Sequence, residues 1–135
     1  MRKWLIQHEG FTEIPNDMLP NMFDIMDFTE VAKGFSIQIS NNKIDSNKPW
    51  ATFITFSDML NGAASFDIED DEADLCLVID YWSADEEDNG MNTTVKFALS
   101  EIQHFIWKKY QDNSLHIIFQ YLDYCIAIYC KNLLY

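Results

Sequence analysis

The chain has 135 residues, 48% hydrophobic and 15% aromatic, so it is too apolar to be disordered and has the size of one domain, which we place at residues 1–135. Its 22 acidic and 9 basic residues give a net charge of −13, which disfavours direct binding to nucleic acid. Residues 1–9 lack the apolar stretch of a secretion signal, and residues 115–130 are too short and too polar to span a membrane, so we expect a cytoplasmic protein without a membrane partner.

The first predicted element is a helix over residues 16–33. Apolar residues recur there at helical spacing, and Gly34 closes the pattern. Pro20 is compatible only with the first turn of a helix, so we place the helix N-terminus near Asp17.

Five strands are predicted between residues 35 and 99, because the period of the apolar residues changes there from helical spacing to alternation. They cover residues 35–40, 50–56, 64–69, 75–82 and 93–99. A polar loop at residues 41–48 and a turn at Asn61-Gly62 separate the first three strands. Residues 75–82 are apolar on both faces apart from Asp80, which is typical of a central strand.

Two helices are predicted after residue 99. Ser100-Glu101-Ile102-Gln103 matches a capping box, in which side chains at a helix start satisfy backbone donors, and apolar residues follow on one face. The segment from Leu115 to Cys130 has an apolar stripe at helical spacing. A pair of strands is the alternative for this last segment, since its Tyr, Ile and Phe residues also favour strands. The predicted fold class is therefore α+β: an antiparallel β-meander of about five strands, with an N-terminal helix and two C-terminal helices packed on the sheet.

Eleven carboxylates lie between Asp67 and Asp88, and no Lys or Arg offsets them. They are Asp67, Glu69, Asp70, Asp71, Glu72, Asp74, Asp80, Asp85, Glu86, Glu87 and Asp88. This window supplies −11 of the net −13, since the rest of the chain has 11 acids and 9 bases. Like charges at this density repel each other, so their concentration indicates attraction of a cationic partner. The alternative is that both acidic runs are solvated turns that keep the protein soluble.

In the predicted meander, the two acidic runs emerge at opposite ends of strand 75–82, with Asp67 and Glu69 on the solvent side of the preceding strand. Tyr81 and Trp82 point to opposite faces, and we expect Trp82 to be the exposed one. Carboxylates around an exposed aromatic ring are typical of a protein interface, in which charge sets the association rate and the ring contributes binding energy. The alternative is that both rings lie in the core.

No cofactor or metal site is predicted. The glycines are isolated, so the chain has neither a P-loop nor a dinucleotide fingerprint. Residues 85–90 superficially resemble a calcium loop, but the twelfth position, which needs a bidentate Glu, is Lys96.

No catalytic residues are predicted either, so we do not expect an enzyme. Nothing in the sequence couples His8, His104 or His116 to another group, and we expect the last two to lie at a helix surface or the edge of the core. The three cysteines, at positions 76, 125 and 130, are odd in number, lie in apolar surroundings and lack CxxC spacing, so we expect buried, reduced thiols. Asp80, within an apolar strand, is expected to have a structural partner.

These features resemble bacterial immunity proteins, including those of contact-dependent growth inhibition and related polymorphic toxin systems. The resemblance rests on small size, strong acidity, an aromatic-rich composition and the acidic stretch from Asp67 to Asp88. It implies a stoichiometric inhibitor that covers the active site or an exosite of a cationic cognate toxin, often a nuclease. The expected partner-binding residues are Asp67, Glu69, Asp70, Asp71, Glu72, Asp74, Trp82, Asp85, Glu86, Glu87 and Asp88.

Two other functions are compatible with the sequence. A phage-type mimic of nucleic acid would share the acidic surface but bind a host enzyme. A small hydrolase would use scattered acidic catalytic residues, and Asp80 beside a histidine in a deep cleft would support it.

Overall fold

The computed structural model describes residues 2–7, 10–40, 51–56, 62–71, 74–83 and 92–134, and strands predominate among them. The strands are β1 (Arg2–Gln7), β2 (Thr12–Glu13), β3 (Glu30–Val31), β4 (Phe35–Ser40), β5 (Ala51–Phe56), β6 (Gly62–Asp71), β7 (Asp74–Ser83), β8 (Asn92–Ala98), β9 (Ile102–Lys109), β10 (Leu115–Tyr121), β11 (Tyr124–Cys130) and β12 (Leu133–Leu134). The helical segments are a 3₁₀ helix at Asn16–Asn21 that continues into α1 (Met22–Met26), and a 3₁₀ turn at Leu99–Glu101.

Most of the strands form two five-stranded antiparallel sheets. The first sheet has the strand order β2-β9-β10-β11-β4, and the second sheet has the order β12-β3-β6-β7-β8. Strands β1 and β5 pair with each other. Side chains from both five-stranded sheets belong to one buried cluster, in which Phe97 of the second sheet meets Phe119 of the first at 5.2 Å between ring centroids. The core therefore lies between the two sheets.

The predicted α+β class is wrong, because strands occupy most of the segments expected to be helices. The five strands predicted between residues 35 and 99 are present as β4 to β8, but they do not form the single meander that was predicted. Strands β6, β7 and β8 are successive neighbours in one sheet, whereas β4 pairs with β11 and β5 with β1. The N-terminal helix begins where expected but ends at Met26 rather than near residue 33. Its end is fixed by Asp27, which adopts a left-handed conformation (φ 60°) and donates its N–H to the Phe23 carbonyl oxygen at 2.8 Å. Residues 30–31 then pair as β3.

The capping box at residues 100–103 does not start a helix. The Ser100 hydroxyl donates to a carboxylate oxygen of Asp74 instead of capping a backbone N–H, and the chain enters β9 at Ile102. The helical spacing of the buried Ile102, Phe105 and Ile106 comes from a β-bulge. Because Ile106 pairs with Ile118 and Gln103 with Gln120, two residues of β9 face the single residue 119.

The segment from Leu115 to Cys130 is a hairpin rather than one helix, so the strand-pair alternative is correct. Strands β10 and β11 pair from Leu115 with Cys130 to Tyr121 with Tyr124, which leaves a two-residue turn. The hairpin is buried on both faces. Its inner face packs in the main core, and its outer face contributes to a second buried cluster with Ile106 and Phe11.

All three cysteines are free and buried, as predicted. Burial raises the pKa of Cys125 to about 11 and raises that of Cys130 further, so both thiols stay protonated at neutral pH.

The turn between β10 and β11 offers a stabilising substitution. Leu122 has φ 55° and is 58% exposed, so its backbone is strained and its side chain gains little from burial. Leu122→Gly should raise the free energy of unfolding, measured in urea, by about 0.5–1 kcal/mol. This gain is the backbone strain that is relieved in the folded state minus the conformational entropy that glycine adds to the unfolded chain. Asp123→Gly at the neighbouring position, which has no positive φ, should give no gain. A loss of stability in Leu122→Gly would contradict this account of the turn.

Candidate functional site

Three of the four predicted acidic residues of β6 lie on one solvent-facing side of the second sheet. Ala64 and Phe66 are buried in the core, while Asp67, Glu69 and Asp71 are exposed. This alternation was predicted from the sequence and is confirmed for Asp67 and Glu69.

Strand β7 adds two half-buried carboxylates to the same side. Asp74 pairs with Asp71, and Asp80 pairs with Ser65 two positions before Asp67, so all five carboxylates share one face. We call Asp67, Glu69, Asp71, Asp74 and Asp80 the acidic face. Asp70 is exposed at the same end of the hairpin, but the alternation of the strand points it to the other side.

Trp82 extends this face at the opposite end of β7. It pairs with Ala63 and Asn92 and is 41% exposed, as predicted. Tyr81 points inward, with its ring 5.0 Å from that of Phe35. At about 3.3 Å per residue, Asp74 and Trp82 are roughly 26 Å apart along the strand. The face therefore has the dimensions of a protein contact rather than of a small-molecule pocket.

On the side of the second sheet that carries the acidic face, the described carboxylates outnumber the described cations. Lys96 of β8 is an exposed cation on this side, where it pairs with Val78. Glu30 of β3 pairs with Ser65 and adds another exposed carboxylate. Six carboxylates thus share this side with one lysine among the described residues, so its local charge is strongly negative.

Asp80 has a structural partner, as predicted. Its carboxylate accepts a hydrogen bond from the Thr94 hydroxyl of the neighbouring strand. Among the described residues, this threonine on the open sheet face is the side-chain partner of Asp80, and the histidine pairing that would support a hydrolase is not found there.

Several predicted site residues cannot be placed on this face. Glu72 and the second acidic run, Asp85, Glu86, Glu87 and Asp88, lie outside the described residues, as do the calcium-like loop and His8. Over the ranges that the structure does describe, no three His, Cys, Asp or Glu side chains are grouped as a metal site would require.

A second site, which the sequence did not predict, is an open cleft of about 510 Å³ on the outer side of the first sheet. Its lining residues are Tyr110, Gln111, Asp112, Ser114, His116 and Tyr129. The Tyr110 hydroxyl and His116 Nδ1 are hydrogen-bonded at 2.8 Å, and the His116 and Tyr129 rings lie 4.4 Å apart. We call this site the Tyr-His cleft.

The turn from β9 to β10 shapes one wall of the Tyr-His cleft. Asp112 Oδ1 accepts hydrogen bonds from the Ser114 N–H at 3.1 Å and the Ser114 hydroxyl at 2.5 Å, which lower the pKa of the carboxyl. Burial, with smaller effects of Tyr129 and Asp112, raises the pKa of Tyr110. At neutral pH the cleft thus contains a carboxylate and a protonated Tyr110 phenol.

His116 is neutral at pH 7, since burial and, to a smaller extent, the charge of Lys108 lower its pKa from 6.5 to about 4. The unfolded chain therefore binds a proton between about pH 6.5 and 4 that the folded chain does not, so stability must fall as the pH falls through this window. Because solvent partly screens this site, we expect His116 to account for roughly 2 kcal/mol of the lost free energy of unfolding. Urea unfolding of His116→Gln across the same window should show a correspondingly shallower pH dependence. Equal pH dependence in both proteins would contradict the prediction.

Within the described ranges, no helix is long and apolar enough to cross a membrane. Comparison of the chain with models of known protein families, with curated protein sequences and with solved structures finds no match.

Proposed function

We propose that this protein is a cytoplasmic immunity protein that binds and neutralises a cationic toxin, a nuclease, through the acidic face. The observation that carries the proposal is the outward alignment of Asp67, Glu69 and Asp71 on an open sheet face that ends at the exposed Trp82. The protein acts by stoichiometric binding rather than by catalysis.

The acidic face is suited to a partner that binds polyanions. Successive outward residues of a strand are roughly 6.6 Å apart, so β6 presents a regular line of negative charge. A nuclease carries cations where the phosphates of its substrate lie, and this line would occupy the same region. Long-range attraction would raise the association rate, while Trp82 would contribute contact area that slows dissociation.

The cytoplasmic location agrees with the state of the cysteines. All three are free and buried, as expected in a reducing compartment, and none is paired in a disulfide.

The proposal is tested by capture of partners from the native host with tagged protein at low and high salt. Three baits are compared: the unmodified chain, the acidic-face variant Asp67→Asn/Glu69→Gln/Asp71→Asn, and a matched control, Glu13→Gln/Asp17→Asn/Asp24→Asn. The control removes the same charge from exposed positions outside the second sheet. A basic toxin captured by the first and third baits, but lost from the second and at high salt, would support the proposal.

Two results would refute it. Capture of a host enzyme that handles DNA or RNA, in place of a toxin, would identify a nucleic-acid mimic. Capture that is equal for all three baits would show that the acidic face is not the binding surface.

A further inference from the structure

We propose that the Tyr-His cleft binds a small molecule through a phosphate group, which Lys108 and Lys131 neutralise. This site is separate from the acidic face, since the lysines and the cleft belong to the first sheet and to the residues that follow β11. The inference does not depend on the proposed function.

Each of the two lysines lies over a tyrosine ring that lines the cleft. Lys108, His116 and Tyr129 form one row across β9, β10 and β11, and Lys131 follows Tyr129 by two residues. Two strand spacings place the backbones of Lys108 and Tyr129 about 10 Å apart. Lys108 Nζ lies 5.1 Å from the centre of the Tyr110 ring, and Lys131 Nζ lies 6.0 Å from that of Tyr129.

Neither ammonium group forms an ion pair with a carboxylate among the residues that the structure describes. The chain has 22 acids for 9 bases, so a carboxylate partner for each lysine would be easy to provide. Two lysines that rest instead on tyrosine rings at one cleft leave their charge available to an anionic ligand. The charge of about −2 on a phosphate group matches two ammonium groups better than a single carboxylate would.

Hydrogen-bond donors also face this region. Tyr110 and Tyr129 each bring a phenol to the cleft. The volume of about 510 Å³ exceeds that of inorganic phosphate, so the ligand would carry an organic group that packs on the aromatic rings.

The net charge of the protein does not prevent this binding. At physiological ionic strength, charges more than about 8 Å apart are largely screened, so the nearby lysines outweigh the acids of the other sheet. Asp112 is the opposing charge in the cleft wall, and Lys131 partly offsets it, as its lowering of the Asp112 pKa indicates. Removal of the Asp112 charge should therefore strengthen binding of an anion.

The test is an NMR titration of the His116 ring resonances with inorganic phosphate and with phenyl phosphate. We expect saturable shifts, tighter binding of phenyl phosphate, and a rise of the His116 pKa when the bound anion offsets Lys108. Lys108→Gln and Lys131→Gln should each weaken binding about tenfold, the effect of one charge-assisted hydrogen bond. Lys96→Gln, a control on the second sheet, should leave binding unchanged, and Asp112→Asn should tighten it.

The proposal is overturned if phosphate and phenyl phosphate give no saturable shift, or if Lys108→Gln/Lys131→Gln binds as the unmodified protein does. Equal binding of benzoate and phenyl phosphate would also overturn it, because the site would then not select the phosphate. If the double lysine variant does not fold, Asp112→Asn still tests the proposal, because this variant is expected to bind phenyl phosphate more tightly than the unmodified protein does.

Discussion

Replacement of Phe119 with alanine is expected to lower the free energy of unfolding by about 4 kcal/mol, the typical cost of deleting a buried phenyl ring. Phe119 is fully buried and lies where the two sheets meet. Its ring is stacked on that of Phe105 at 5.5 Å and contacts that of Phe97 edge-on at 5.2 Å. A cavity at this position would remove contacts from both sheets at once, so neighbouring side chains cannot easily fill it.

Urea unfolding followed by fluorescence measures this loss. Tyr124→Ala is the matched control, because Tyr124 is an aromatic residue of the adjacent strand β11 that is 44% exposed. We expect the control to lose less than about 1 kcal/mol. Equal losses in the two variants would contradict the position of the core between the sheets.

Neutralisation of the acidic face is expected to slow association with the captured partner by about 10- to 100-fold at low salt. In Asp67→Asn/Glu69→Gln/Asp71→Asn the shape of the strand is kept, while the field that steers a cationic partner is lost. The dissociation rate should change less than the association rate, since exposed charges act mainly during encounter. Surface plasmon resonance across a range of salt concentrations would separate the two rates.

The control for this experiment is Glu13→Gln/Asp17→Asn/Asp24→Asn, which changes the net charge equally. If both triple variants slow association to the same extent, net charge rather than the acidic face governs encounter. Trp82→Ala provides the complementary measurement, because loss of a central aromatic contact should mainly raise the dissociation rate.

The strands from β4 to β8 could be predicted because each has a period-two pattern or a continuous apolar run. The same alternation correctly placed Asp67 and Glu69 outside and Phe66 inside. These segments follow the rule that one face of a strand is buried and the other meets water.

Helices rather than strands were the first prediction after residue 99, because β9, β10 and β11 each break that rule. The bulge in β9 sets Ile102, Phe105 and Ile106 at a spacing that imitates a helix. Strands β10 and β11 are buried on both faces, so they lack alternation, and their turn is Leu122-Asp123 rather than a typical Asn-Gly. In β9 and in the β10-β11 hairpin, the hydrogen-bonded pairing of strands therefore outweighed the helix-like spacing of the apolar residues.

The Tyr-His cleft was missed for the same reason. In a helix Tyr129 and His116 would be 13 positions apart along the axis, whereas the hairpin register makes them direct neighbours. The strand-pair alternative contained this information, since pairing Leu115 with Cys130 also pairs residue 116 with residue 129.

The pairing of β3 with β12 constrains the order in which the chain can fold during synthesis. Leu134 pairs with Glu30, and its carbonyl oxygen accepts the Thr29 N–H at 3.0 Å. Until residues 133–134 have left the ribosome, one side of β3 lacks its partner strand, and the buried Phe28 and Val31 beside it lack the cover of Leu133. The second sheet is therefore completed only once residues 133–134 are available, and before that the nascent chain exposes an open strand edge of the kind that chaperones protect.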